Sequence, residues 1–302
     1  MVCLILGYLR YHNFAFTFMI KTILRDLFSF IKKPDDTQSR LTVKSKFLYI
    51  LILLVFEFIL SYLFIFPVLE EIDSILNLRS VDNEYYTALK SVILFVIVVP
   101  FGEELLFRYF LRYKGLKTKV ISAAAWSRFF PFLVYSFAIC FGFMHIANYT
   151  NSSNLFYALS PLIILTQLTG GLVITFIRVR LNFIWGFLYH ALWNFMVMIA
   201  IPAVEVSFTE PYTEHTKNYT IAIEEKLFFD NDKEQSIKID STGGKIHGIT
   251  VKQYYLQTLL DTLYTKDKYY GGEALINLNL TSKDGITKEG IINILKKEYE
   301  IE

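Results

Sequence analysis

Two cysteines in 302 residues, Cys3 and Cys140, are too few and too far apart for a disulfide framework or a CxxC site. No stretch has the dense basic run with interleaved aromatics of a nucleic-acid groove, so nucleic acid is not an expected partner. The extreme N-terminus lacks the small-residue cleavage signature of a signal peptide. The hundred residues after Pro202 lack any apolar run long enough to cross a bilayer. They also lack a metal-ligand cluster, a nucleophile motif and a phosphate loop. Neither an inverted repeat nor a pair of broken hydrophobic segments is visible, which argues against a transporter.

What the chain has is apolar sequence in blocks. Hydrophobic residues make up 54%, aromatics 17%, and the mean hydropathy is +0.40, well above an ordinary soluble domain. Five segments approach the roughly 20 residues a membrane helix needs: 47–69, 88–111, 130–148, 155–178 and 181–201. The expected fold is an all-α polytopic membrane helix bundle of about five spans with a small C-terminal soluble α+β domain. The domains follow as a cytoplasmic or interfacial segment 1–46, a helical domain 47–201 and a tail 202–302. Residues 1–202 carry 18 Lys and Arg against 11 Asp and Glu, whereas 203–302 carry 12 against 17. Lys21, Arg25, Lys32, Lys33, Arg40, Lys44 and Lys46 precede the first span, which places that side in the cytoplasm. Alternation through the acidic loop 70–87 and the basic turns at 112–119 and 178–180 then leaves the tail outside.

Residues 2–20 are apolar but interrupted by Arg10, Tyr11, His12 and Asn13. From Met19 the pattern becomes amphipathic, which predicts a helix on a membrane surface and makes Met19 an alternative start to Met1. In the tail, 220–229, 236–239 and 274–280 alternate as strands, while 251–264 and 287–299 have helical spacing, the latter behind an Asp284-Gly285 turn.

The segment 88–111 contains Glu103, Glu104 and Arg108. A charge at that depth costs about 3 kcal/mol on insertion scales. Glu104 and Arg108 are one helical turn apart and can pair; Glu103 lies about 100° round the helix and receives no help from Arg108. One carboxylate is therefore neutralised and one left over. Two further sets fall on later spans. His145 follows Phe141 by one turn, and Asn194 follows His190 by one turn. Taken singly, each suits interfacial placement or interhelical hydrogen bonding. Together, an unpaired carboxylate, two imidazoles and an amide are the ingredients of water activation and oxyanion stabilisation. Counted from the cytoplasmic ends, Glu103 and His190 lie about 13 Å deep and His145 about 24 Å, so their meeting needs tilt or a third helix that starts before Phe130.

Glu103-Glu104-x-x-x-Arg108, Phe141-x-x-x-His145 and His190-x-x-x-Asn194, in that order on successive hydrophobic segments, resemble the three signature motifs of the CPBP family. These are the CAAX-protease, bacteriocin-processing and abortive-infection membrane proteins. The likeness covers roughly residues 90–201. It implies an intramembrane endopeptidase, metal-dependent or glutamate-dependent, acting on a peptide or protein substrate among membrane lipids, with a bacterial inner membrane as the expected location. By the family pattern Glu103 and His145 activate water, His190 and Asn194 stabilise the oxyanion, and Glu104, Arg108 and Phe141 support the site. Glu103, His145 and His190 are alternatively the ligands of a divalent metal such as zinc. A catalytically silent member serving as an immunity or scaffold protein is the other reading.

Overall fold

The computed structural model describes residues 2–81, 84–266, 268–272 and 274–302, and only the backbone for 2–16. Met1 and the side chains of Cys3, Arg10, Tyr11, His12 and Asn13 lie outside it. The chain divides into two compact units. One comprises the chain up to Asp82 with Phe95–Asn194; the other comprises Asn83–Leu94 with Phe195–Glu302.

The first unit is helical. Helix α1 runs Val2–Lys32 without a break. Its amphipathic half buries Ile23, Leu27 and Phe30 in the protein's own core, against Tyr49, Leu53, Val173 and Phe176, where the sequence pattern predicts a membrane surface. The electrostatic reason lies at Arg180, whose guanidinium meets Asp26 at 2.9 Å and Asp35 at 3.0 Å. That hub ties α1 and the turn after it to the end of a later helix.

Helix α2 spans Val43–Leu76. Thr42 caps it by accepting from the Ser45 amide. Phe47, Leu51, Val55 and Ile59, every fourth residue, are exposed, while Tyr49, Ile50, Leu53 and Glu57 are buried. An apolar outer stripe with a charge inside is the pattern of a helix facing lipid. Helix α3 covers residues 88–107, the short α4 Leu116–Val120 and α5 Ala123–Met144, continued by a tight turn to Asn148. Helix α6 spans Asn154–Arg180 and α7 Phe183–Phe208.

Among the described residues, four helices, α2, α5 (with its tight turn), α6 and α7, are long and apolar enough to cross a membrane. The expected fifth, α3, carries Lys90, Glu103 and Glu104 within its length. The third expected span begins at Ala123, ahead of Phe130. Three helices widen to i→i+5 turns just before a proline: Ser61–Ile65 before Pro67, Val92–Val98 before Pro100, and Met196–Ala200 before Pro202. Proline has no N–H and its ring crowds the carbonyl four residues back, and a wider turn relieves both. Pro202 consequently lies within α7, which ends at Phe208.

The second unit holds an antiparallel sheet of order β1-β2-β5-β4-β3. The strands are β1 Tyr212–His215, β2 Tyr219–Lys226, β3 Ser236–Thr242, β4 Lys245–Tyr255 and β5 Leu275–Ile286. Helices α8, Leu256–Leu263, and α9, Lys288–Leu295, share a core with Ile221, Ile223, Ile249, Val251 and Leu278. Gly243 and Gly244, both at positive φ, close the two-residue β3–β4 hairpin. The helix expected over 251–264 begins only at Leu256, because Val251–Tyr255 completes β4. Gln253 adopts φ 54 at an irregularity in that strand, which breaks the alternation that marks a strand. The expected Asp284-Gly285 turn lies inside β5.

Candidate active site

Helix α3 sets Glu104 and Arg108 on its buried face and both are fully buried. Arg108 Nη1 donates to Glu104 Oε1 at 2.6 Å. The guanidinium also reaches Thr175 Oγ1 at 3.4 Å and lies 4.1 Å from the centroid of Phe141. Gly171 leaves room for this stack, since a Cβ there would fall 3.0 Å from Phe141 Cδ1 and 3.5 Å from Arg108 Nη2. Burial of two charges is tolerable only when each is paired and hydrogen-bonded; α5 and α6 supply the further partners of Arg108, and His190 on α7 that of Glu104 Oε1.

Glu103 points elsewhere. One carboxylate oxygen lies 3.8 Å from His145 Nε2 and the other 3.5 Å from His190 Nε2. Arg108 does not bridge it. The two histidines are held from behind by their other nitrogens. His145 Nδ1 donates to the Phe141 carbonyl at 2.8 Å, one turn back at the end of α5. His190 Nδ1 donates to Glu104 Oε1 at 3.0 Å. Each such bond fixes the ring orientation and leaves Nε2 facing Glu103. Phe141 packs edge-on against both rings, at 4.9 Å from His145 and 5.9 Å from His190. Glu103 and His145 are about one-fifth exposed, whereas His190 is buried.

The expected residues Glu103, Glu104, Arg108, Phe141, His145 and His190 are thus one contiguous cluster drawn from α3, α5 and α7. Asn194 stands apart. It follows His190 by one turn on α7, but its amide donates to the Phe95 carbonyl of α3 at 2.9 Å. Among the described residues, no hydrogen bond joins it to Glu103 or either histidine. Nor do the described residues contain three His, Cys, Asp or Glu side chains grouped to hold a metal ion.

Sequence reasoning passed over Glu57, Tyr189 and two glycines. Glu57 is the one charged residue in 47–69 and is 1% exposed, so the cost argument that singles out Glu103 applies to it equally. It accepts a hydrogen bond from the fully buried Tyr189. Gly186, at the start of α7, lies beside Arg178 and Glu104: a Cβ there would stand 3.6 Å from Glu104 Oε2, an ordinary contact. Glycine in a helix interior announces such a contact without naming the partner.

Residues 86–196 match the family model of Rce1-like proteins, described as type II CAAX prenyl endopeptidase Rce1-like. That stretch contains all three motifs and matches the CPBP/CAAX protease family. No curated protein and no solved structure gives a significant match.

Proposed function

With residues 86–196 matching the Rce1-like family of proteases, we infer that the chain is an intramembrane endopeptidase that hydrolyses a peptide bond at or in the membrane. The observation that carries this reading is the Glu103 carboxylate set between two imidazole Nε2 atoms, at 3.8 and 3.5 Å, while Glu104 takes the arginine. Glu103 is the base. It takes a proton from a water that His145 orients, and the resulting hydroxide attacks the scissile carbonyl. His190, as an imidazolium whose Nδ1–H rests on Glu104, presents Nε2–H to the oxygen that becomes negative. Asn194 completes that role by turning its amide from Phe95 to the substrate. The neutral leaving amine recovers the proton from Glu103.

In this reading α3 is the fifth span, the N-terminus is cytoplasmic and the tail lies outside. Residues 47–201 form the catalytic part, flanked by 1–46 and 202–302. The family description names a prenyl CAAX endopeptidase, so a farnesylated CAAX peptide is the first substrate to offer. Full-length protein in lipid nanodiscs cleaves it, and Glu103→Gln abolishes cleavage while keeping the melting temperature. A Glu103→Gln protein with wild-type cleavage overturns the mechanism. Loss of host phenotype only when the whole protein is removed, never with Glu103→Gln, marks the silent scaffold.

A further inference from the structure

Behind the histidine on α7 lies a second buried polar pair that the mechanism above does not use. Glu57 on α2 is buried on all sides and Tyr189 on α7 is fully buried. The Tyr189 hydroxyl donates to the Glu57 carboxylate and lies 3.3 Å from the Leu53 carbonyl. Helix α6 makes space for the carboxylate at Gly170, where a Cβ would fall 2.6 Å from Glu57 Oε1. Neither partner faces lipid, and among the described residues no hydrogen bond joins either to Glu103, His145 or His190. A carboxylate inside a membrane bundle is costly, and a purely packing role would be served better by apolar side chains.

Tyr189 precedes His190 and projects about 100° from it round α7. A hydrogen bond that fixes Tyr189 against α2 therefore fixes the rotation of α7 about its axis. His190 needs that rotation: its ring must place Nδ1 on Glu104 at 3.0 Å and Nε2 toward Glu103 at 3.5 Å at the same time. We propose that Glu57 and Tyr189 are positioning residues that lock α7 so that His190 spans the two motif glutamates. The proposal rests on the protease reading for its catalytic consequence, but its structural half stands alone.

The test uses the full chain in phosphatidylcholine nanodiscs with 15N-labelled histidine, and a farnesylated CAAX peptide as the kinetic probe. Tyr189→Phe and Glu57→Gln each shift the His190 ring-nitrogen resonances and leave those of His145 in place. Each lowers kcat about tenfold with KM unchanged, as removal of a bond that orients a reacting group does. The double variant is no worse than the poorer single, because the two residues act as one unit. Gly170→Ala, which leaves both side chains present but crowds the carboxylate, reproduces the shift and covers the case of a Glu57→Gln protein that fails to fold. Unchanged His190 resonances in folded Tyr189→Phe, or additive losses in the double variant, overturn the proposal. Failure of the wild-type protein to cleave the peptide overturns the protease reading instead, and the His190 resonances still decide the positioning role.

Discussion

Two ion pairs in this protein have the same nitrogen–oxygen distance, 2.6 Å, and opposite surroundings. Arg108–Glu104 is shut inside the helical unit with both side chains at most 1% exposed; Lys297–Glu214 sits on the β-sheet unit with 47% and 26% exposed. Distance alone would rank them equal. Water decides otherwise, because the exposed charges are already solvated and screened, whereas the buried ones have no substitute for each other.

The comparison breaks most sharply at Arg108. Arg108→Ala leaves Glu104 charged in the bundle with only His190 as a partner, and we expect a loss of about 3–5 kcal/mol in stability, read as the fall in folded protein during denaturant or SDS titration. Glu104→Leu combined with Arg108→Met removes both charges and is expected to recover most of the folded yield. Cleavage stays absent, because His190 has lost its Nδ1 acceptor. Wild-type stability for Arg108→Ala alone would show that the pair is not the anchor of α3.

Next in size is Glu103→Gln. Glu103 is partly exposed and not engaged by Arg108, so its neutralisation leaves the buried Arg108–Glu104 pair intact. We expect an unchanged melting temperature and a fall in kcat of about 100-fold or more, the lower range for loss of a general base. A matching drop in stability would place Glu103 with Glu104 among the structural charges.

How far the sequence disclosed these roles depends on the range of the interaction. The split between Glu103 and Glu104 was legible because helical phase and a four-residue spacing need no tertiary knowledge. So was the grouping of His145 and His190 with Glu103, through the motif order. The bond from His190 to Glu104 was not legible: 86 residues separate the partners, and only packing of α7 on α3 creates it. Glu57 was visible as a lone acid in an apolar run, but its partner Tyr189 reads as one more aromatic. In the tail, only the end of β4, Val251–Tyr255, falls in the segment expected to be helical, and Gln253 interrupts the alternation there. Asn194 is the residue where family pattern and geometry differ, since its amide serves the Phe95 backbone.

A smaller effect tests the packing around the buried pair. At Gly171 a methyl group would sit 3.0 Å from Phe141 Cδ1, tighter than ordinary van der Waals contact. Gly171→Ala is expected to cost about 1–3 kcal/mol through overpacking, and to loosen the Arg108–Phe141 stack without removing either charge. Thermal unfolding beside a Thr22→Ala surface control measures it, and equal melting temperatures would show that Phe141 retreats freely.

The smallest expected effect belongs to the exposed pair, and it appears in titration before it appears in stability. Lys297 donates to both Glu214 oxygens, at 2.6 and 2.9 Å, and Tyr219 and Tyr212 add bonds at 2.7 and 2.9 Å. The ammonium of Lys297 first, and then the Tyr219 hydroxyl, hold the Glu214 carboxyl down to about 2. A carboxyl lowered in the folded state contributes stability above its unfolded value of about 4.3, and that contribution disappears as pH falls toward 2. Lys297→Ala removes the main cause, so the Glu214 carbon resonance should titrate nearer the ordinary carboxylate range. At neutral pH the melting temperature should stay within a degree or two, as is usual for an exposed pair. A neutral-pH loss as large as that of Arg108→Ala would mean that burial is not what separates the two pairs. A Glu214 titration unmoved by Lys297→Ala would mean that the tyrosine hydroxyls alone hold the carboxylate.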